Sequence, residues 1–189
     1  MSVIKDVETL GFALANWADR GDIDQILLLL FIEFAGRKAC QELRVPAMEQ
    51  TKFISAAGGR LNIPGDFIEL RRLTGPESSN IKTLEYVPWD YFVQESNKES
   101  AEPATIFSRQ GGDWFVYPAP ADGETFICYY YAGFPDLSLD NTSNWLLEFS
   151  PMAYLFGALQ YLAEYAMDNE RAAYWEQRFN RELARIQAI

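Results

Sequence analysis

Apolar residues at Ile23, Ile26, Leu27, Leu30, Phe31 and Phe34 recur every three or four positions, a spacing that predicts a helix with one broad apolar face. Glu33, Arg37, Lys38 and Gln41 fall mostly on the other side. Asp22 is placed to cap this helix, and Gln25, three residues on, completes a capping-box arrangement. The helix runs to about Leu43, and Pro46 ends it. Before it, Val3 to Trp17 reads as a shorter amphipathic helix, broken at Asp19-Arg20-Gly21-Asp22.

From about residue 51 to 135 the pattern changes to β. Gly58-Gly59 marks a turn, and Phe67-Ile68-Glu69-Leu70 begins a short strand. Thr105 to Arg109 and Trp114 to Tyr117, joined through Gly111-Gly112, carry a hairpin signal. Pro118 to Gly123 is a second turn, leading into Thr125 to Tyr131. That last strand is apolar on both faces and is expected at the centre of its sheet. Pro88 to Phe92 reads as a single helical turn, and the polar stretch Asn97 to Glu102 as a mobile loop.

Helical periodicity returns after residue 143. Ser150 can cap a helix that has Pro151 at its first position. Leu155, Leu159, Leu162 and Ala166 form one stripe. Trp175, Phe179, Leu183 and Ile186 form the next, and Asp168-Asn169 between them fits either a kink or a reversal. The fold class this predicts is α+β. A mainly helical body (1–50 and 143–189, with N-terminal helices and two C-terminal ones) carries an inserted antiparallel β region (51–136) within a single domain, 1–189.

Composition agrees with a folded chain: 49% hydrophobic and 15% aromatic residues exceed what disorder allows. Met1 to Lys5 lead into acidic positions instead of an apolar stretch, so no targeting signal is expected. The apolar run Ile26 to Ile32 falls far short of the roughly 20 residues of a membrane span. The expectation is a soluble protein of an intracellular space. The net charge of −11 is uneven. Residues 51–150 carry fourteen acids and seven bases, whereas residues 151–189 carry five and four. Binding DNA through a basic face needs clustered Lys and Arg, and this balance argues against it.

The chain contains no histidine, which removes the commonest general base near neutral pH and every Ser-His or Cys-His nucleophile pair. Cys40 and Cys128 form no C-x-x-C pattern and read as small buried hydrophobes, so no metal site is expected. No glycine-rich phosphate loop occurs, and no cofactor is expected. Carboxylate pairs remain: Asp66 with Glu69, or Asp113 with Glu124, could serve as acid and base in glycoside cleavage. Asp66, Asp113 and Glu124 lie at or beside turns or a hairpin tip, where acids are common for structural reasons. No catalytic residue is assigned, and the expectation is that the protein is not an enzyme.

Surfaces are more informative. Trp, Tyr and Arg are enriched where proteins bind one another. Trp175, Arg178, Phe179, Arg181, Arg185 and Ile186 give the last helix an apolar stripe beside basic positions. Packing takes precedence for Trp175 and Phe179, and interaction for the arginines and for Ile186 near the helix end. Tyr129, Tyr130 and Tyr131 cannot all be buried on one side of a strand, so Tyr130 is expected to meet another subunit or a covering helix.

Taken in order, five segments carry a resemblance: AGRKACQELRVPAME, RLNIPGDFIELRRL, LEYVPWDYFVQ, FVYPAPADGETFICYYYAGFPDLS and NWLLEFSPMAYLFGALQYLAEYAMDNERAAYWEQRFNREL. Over Ile23 to Leu183 the chain resembles the head-to-tail adaptor (connector) proteins of tailed bacteriophages. The resemblance implies a helical body with a β insertion and a homo-oligomeric ring, typically dodecameric, in the neck of the virion. It implies binding to the portal protein on one side and to a tail or nozzle protein on the other. The genome would pass through a central channel without sequence-specific binding, and subunits would reside in the host cytoplasm during assembly. No catalytic residue, cofactor or membrane contact is implied. The segment matching the portal-docking part of such proteins is Arg171 to Ile189, which stops soon after the helix where relatives carry longer tails. Two other classes stay open on the residues: a carbohydrate-binding or carbohydrate-acting module using the aromatic β region, and an acidic inhibitor imitating DNA.

Overall fold

The structure, a computed structural model, describes residues 3–19, 21–75, 82–98 and 104–188. The chain has an α+β fold and divides into two units, Met1–Ala47 with Gly133–Ile189, and Met48–Ala132.

The first unit is helical. It contains α1 (Val7–Ala18), α2 (Gln25–Glu42), α4 (Trp145–Phe149), α5 (Pro151–Tyr165) and α6 (Asn169–Gln187). A capping box starts α1: the Thr9 amide donates to Asp6 Oδ1 at 2.8 Å, and the Asp6 amide donates to Thr9 Oγ1 at 3.1 Å. It ends at Asp19, whose backbone is left-handed at φ 53°. The N-cap expected at Asp22 lies elsewhere. Helix α2 starts later, with Asp24 at the N-cap position and no side-chain capping bond.

The buried face of α2 also differs from the expected one. Leu28, Phe31, Ile32, Ala35 and Ala39 are buried, whereas Ile26, Leu30 and Phe34 are exposed. The reason is the close approach of α5. A Cβ placed on Gly157 would lie 2.7 Å from Ala35 Cβ, and one on Gly36 would lie 2.9 Å from the Tyr154 ring. Only the small residues Ala35, Gly36 and Ala39 fit that line, so Ile26 and Leu30 turn away and Phe34 meets α5 only at its flank, edge-on to Tyr161 at 5.5 Å. Helix α5 is buried continuously from Ala153 to Gln160 and forms the centre of the unit. At Met167, left-handed at φ 58°, the chain reverses, and α6 packs back along α5. Ala166, expected in the α5 stripe, is instead the exposed C-cap.

The approach to α4 also belongs to this unit, so the helical part resumes at Gly133, ahead of residue 143. Phe134 packs edge-on against Trp145 at 5.4 Å. Asn144 caps α4 by accepting from the Leu147 amide at 3.0 Å, and its Nδ2 donates to the Pro135 carbonyl and to Tyr154 Oη.

The second unit holds two sheets. One has the order β1-β7-β3, formed by Glu49–Ser55, Thr125–Ala132 and Phe67–Thr74. The other has the order β2-β6-β5-β4, formed by Arg60–Asn62, Asp113–Tyr117, Ile106–Gln110 and Glu85–Tyr86. All pairings are antiparallel except that of the two-residue β4, which runs parallel to β5. The hairpin through Gly111-Gly112 forms as expected, and β7 is central in its sheet. β3 is eight residues long, and the turn expected at Pro88–Phe92 is a two-turn helix, α3 (Trp89–Ser96). Phe67 joins the two buried faces, edge-on to Trp114 at 5.3 Å and stacked on Tyr130 at 5.9 Å. Of the polar stretch 97–102, Asn97 and Lys98 fall within the described residues and the remainder lies outside them.

Candidate functional site

Helix α6 is amphipathic in an unusual way, because its exposed side is basic in an acidic chain. Arg171, Arg178 and Arg185 are spaced seven apart, with Tyr174 and Arg181 falling between them at three or four residues. At 3.6 residues per turn these five positions form one stripe roughly 21 Å long. The opposite face, Ala172, Phe179, Leu183 and Ile186, is buried.

The arginines along the stripe differ in how they are held. Arg171 pairs with Asp168 at 3.4 Å, and Arg185 with Glu182 at 2.9 Å. Glu182 is itself fixed by the Ser150 hydroxyl, which donates to it at 2.5 Å. Arg178 lies over the Phe156 ring at 5.0 Å and donates to Tyr174 Oη at 2.7 Å. Arg181 is exposed and has no partner among the described residues. The C-terminal end of the helix is clamped in place. Gln187 accepts from the Arg44 amide and donates to the Arg44 carbonyl, both at 2.8 Å.

Beside the stripe lies an aromatic cluster. Trp175 stacks on Phe156 at 5.8 Å, meets Trp17 of α1 at 5.9 Å and is edge-on to Tyr174 at 4.8 Å. A cleft of about 330 Å³ opens next to it, lined by Trp17, Asp19, Leu162, Asp168, Tyr174 and Trp175. Trp175 is half-buried, so it both packs and shows an edge to solvent. Trp17 was absent from the sequence-based set. Its neighbour Trp175 lies far along the chain, and only the docking of α1 on α5 unites them.

Three of the expected contact residues point inward. Phe179 is buried, with the Lys38 ammonium 5.4 Å from its ring centroid. Ile186 is buried as well, because the clamp at Gln187 prevents the fraying that would expose it. Tyr130 is buried in the second unit. The pleat of β7 sends Phe126, Cys128, Tyr130 and Ala132 to the buried face and leaves Tyr129 and Tyr131 on the other. The Tyr130 hydroxyl donates to Asp66 Oδ1 at 3.0 Å. Burial, reinforced by Asp66, pushes its ionisation up to about 12. Tyr129 and Tyr131 instead carry arginines over their rings, Arg72 at 4.5 Å and Arg71 at 5.4 Å.

Of the carboxylates weighed as acid–base pairs, Asp66 and Glu124 are engaged structurally. Asp66 accepts from Tyr130, and Glu124 accepts from the Ala121 amide at 3.1 Å in its turn. Both thiols are free of disulfides, and burial raises each. Among the described residues no group of three His, Cys, Asp or Glu side chains is arranged to hold a metal ion, and no helix is long and apolar enough to cross a membrane.

The helical unit thus carries a basic stripe, an aromatic edge and an open cleft, set on clamped helices. The chain belongs to the SU10 adaptor protein family, whose model matches residues 6–189. It is accordingly a bacteriophage adaptor, a structural protein that acts through other virion components. No curated protein sequence matches it.

Proposed function

We propose that this chain is the subunit of a ring in the virion neck that joins the portal to the tail or nozzle and leaves a channel for the genome. The observation that carries this reading is the family match, which spans nearly the whole chain. The α6 stripe supports a location for the portal contact. Arg178, Arg181 and Arg185 supply charge, Trp175 supplies an aromatic edge, and Phe179 and Ile186 anchor the helix from beneath. Tyr130 contributes by holding the β unit together and not by touching a partner. The ring, with twelve subunits as its expected size, assembles from subunits in the host cytoplasm. DNA crosses it without sequence-specific binding, consistent with the chain's net acidity.

The test is association with the portal protein of the same phage, read by mass measurement of the mixed, purified components. The double variant Arg181→Glu with Arg185→Glu should weaken attachment at least tenfold while leaving the melting temperature of the isolated subunit within a few degrees. Unchanged attachment would move the portal contact off α6. Failure of the unmodified protein to associate across salt and concentration would remove the adaptor-ring reading.

A further inference from the structure

The cleft beside Trp175 has a chemistry of its own, opposite in sign to the basic stripe. Two helices end at it. The last turn of α1 contributes Trp17 and Ala18, and the end of α5 contributes Leu162, Ala163 and the C-cap Ala166. A helix C-terminus carries about half a negative charge, because its last carbonyls lack intrahelical donors, and it favours a cation there. Neither α1 nor α5 has a basic residue in its last turn. Two carboxylates, Asp19 and Asp168, line the same space. The cleft's own cation, Arg171, pairs with Asp168, which also caps the start of α6 by accepting from the Arg171 amide at 3.1 Å. Asp19 is exposed and has no ion-pair partner among the described residues.

The walls of the cleft are flat rings. Trp17 and Trp175 meet at 52° with their centroids 5.9 Å apart, and Tyr174 stands edge-on to Trp175 at 72°. Trp17 and Tyr174 are half-exposed. The negative faces of such rings attract a cation, and a guanidinium also stacks on them through its plane. The cluster already does this once within the chain. Arg178 lies over Phe156 at 5.0 Å, with Tyr174 at 5.5 Å and Trp175 at 6.0 Å, yet it does not line the cleft.

We propose that this cleft receives one arginine side chain of a partner chain, its guanidinium stacked in the notch of Trp17, Tyr174 and Trp175 and paired with Asp19. Charge fixes the sign of the occupant: two helix C-termini and a free carboxylate outweigh Arg171, which Asp168 already answers. The occupant is an organic cation, since no group of three His, Cys, Asp or Glu side chains among the described residues is arranged to hold a metal ion. Size limits it to a side chain. The cleft holds about 330 Å³, whereas a helical turn is about 10 Å across and 5.4 Å high. The neighbouring stripe limits its surroundings. Arg178 and Arg181 repel a generally basic partner, so the arginine that enters stands alone on an acidic or neutral surface.

The inference goes beyond the ring reading and holds whether or not the partner is the portal, so its test uses the isolated full chain. The probes are N-acetyl-arginine methylamide and its neutral isostere, N-acetyl-citrulline methylamide, titrated at low ionic strength and followed by the indole N–H resonances. The arginine probe should shift Trp17 and Trp175, leave Trp89, Trp114 and Trp145 in place, and bind at least fivefold more tightly than the citrulline probe. Asp19→Asn should weaken the arginine probe at least threefold and leave the citrulline probe unchanged. That variant keeps its fold and its thermal melt, because asparagine tolerates the left-handed backbone at φ 53°. Equal affinity for the two probes would make the cleft an apolar pocket and overturn the cationic occupant. No shift of Trp17 and Trp175, or shifts indifferent to Asp19→Asn, would overturn the site. Tighter binding of N-acetyl-lysine methylamide than of the arginine probe would overturn the choice of guanidinium.

Discussion

Single side chains in this protein divide by depth more than by type. Phe179 and Trp175 are four residues apart on one helix, yet the first is buried and the second is half-buried against Phe156 and Trp17. Chemical denaturation of Phe179→Ala should show a loss of about 3–5 kcal/mol, and Trp175→Ala a smaller loss of about 2 kcal/mol. If both cost the same, the exposed edge of Trp175 contributes nothing to a docking surface. Cys128 and Tyr130 behave alike because β7 buries both. Burial moves the Cys128 thiol from its usual 9.0 up to about 12, and the Tyr130 phenol from 10.0 up to about 12. Both groups are held neutral in the fold, so the stability they contribute is fully present below pH 9. It is lost as pH rises through the window from 9 to 12, where the unfolded chain releases protons that the folded chain retains. Thermal melts should therefore be flat to pH 9 and fall above it. The fall should be shallower in Cys128→Ala with Tyr130→Phe. An identical fall in that variant would assign the alkaline loss to other groups.

Elements are set by close approach as much as by apolar periodicity. The α2 face follows from glycine at 157, since Ala35 Cβ occupies the space a side chain there would need. Replacing Gly157 with Ala should push α2 and α5 apart and lower stability by about 1–3 kcal/mol despite the better helix propensity of alanine. A gain in stability would show that the pair can relax, and would undo the reason given for the exposure of Ile26 and Leu30. Much of the element order was legible in advance: the hairpin at Gly111-Gly112, the central place of β7, the start of α5 at Pro151 and a break near Asp168-Asn169, which falls at Met167 and is a reversal. The α2 face was not, because Ile26, Leu30 and Phe34 have the same spacing as a buried stripe. Only a partner helix hundreds of atoms away in the chain decides which stripe turns in. The inward aim of Tyr130 was hidden for a related reason. Three adjacent tyrosines fix that one differs in side from the other two, and not which side is covered.

For the whole chain, charge distribution and contact surface diverge. Bases and acids nearly balance after residue 150, while the segment from 51 to 150 holds twice as many acids as bases. A basic α6 on an acidic chain favours a partner with an acidic surface and discourages stray attachment to the genome. Attachment through that stripe should therefore weaken as ionic strength rises, and the Arg181→Glu, Arg185→Glu variant should lose most of that dependence. The ordered segments that resemble phage adaptors and the absence of histidine pointed to this class without any view of the site. The site itself was partly visible as a Trp-Arg stripe, but its aromatic half needed Trp17, which no local pattern connects to Trp175.

The division of the helical unit into two stretches of sequence has a bearing on how the subunit is made. The β unit has all its strands once residue 132 has left the ribosome, whereas α1 and α2 wait for α5, which begins only at Pro151. During that interval the apolar faces of α2 are uncovered, including Ile26, Leu30 and Phe34, which the finished protein keeps exposed. Synthesis thus passes through a state with a closed β unit and an open helical pair, and premature pairing between nascent chains is disfavoured only once the last two helices close over Phe31, Ile32 and Ala35.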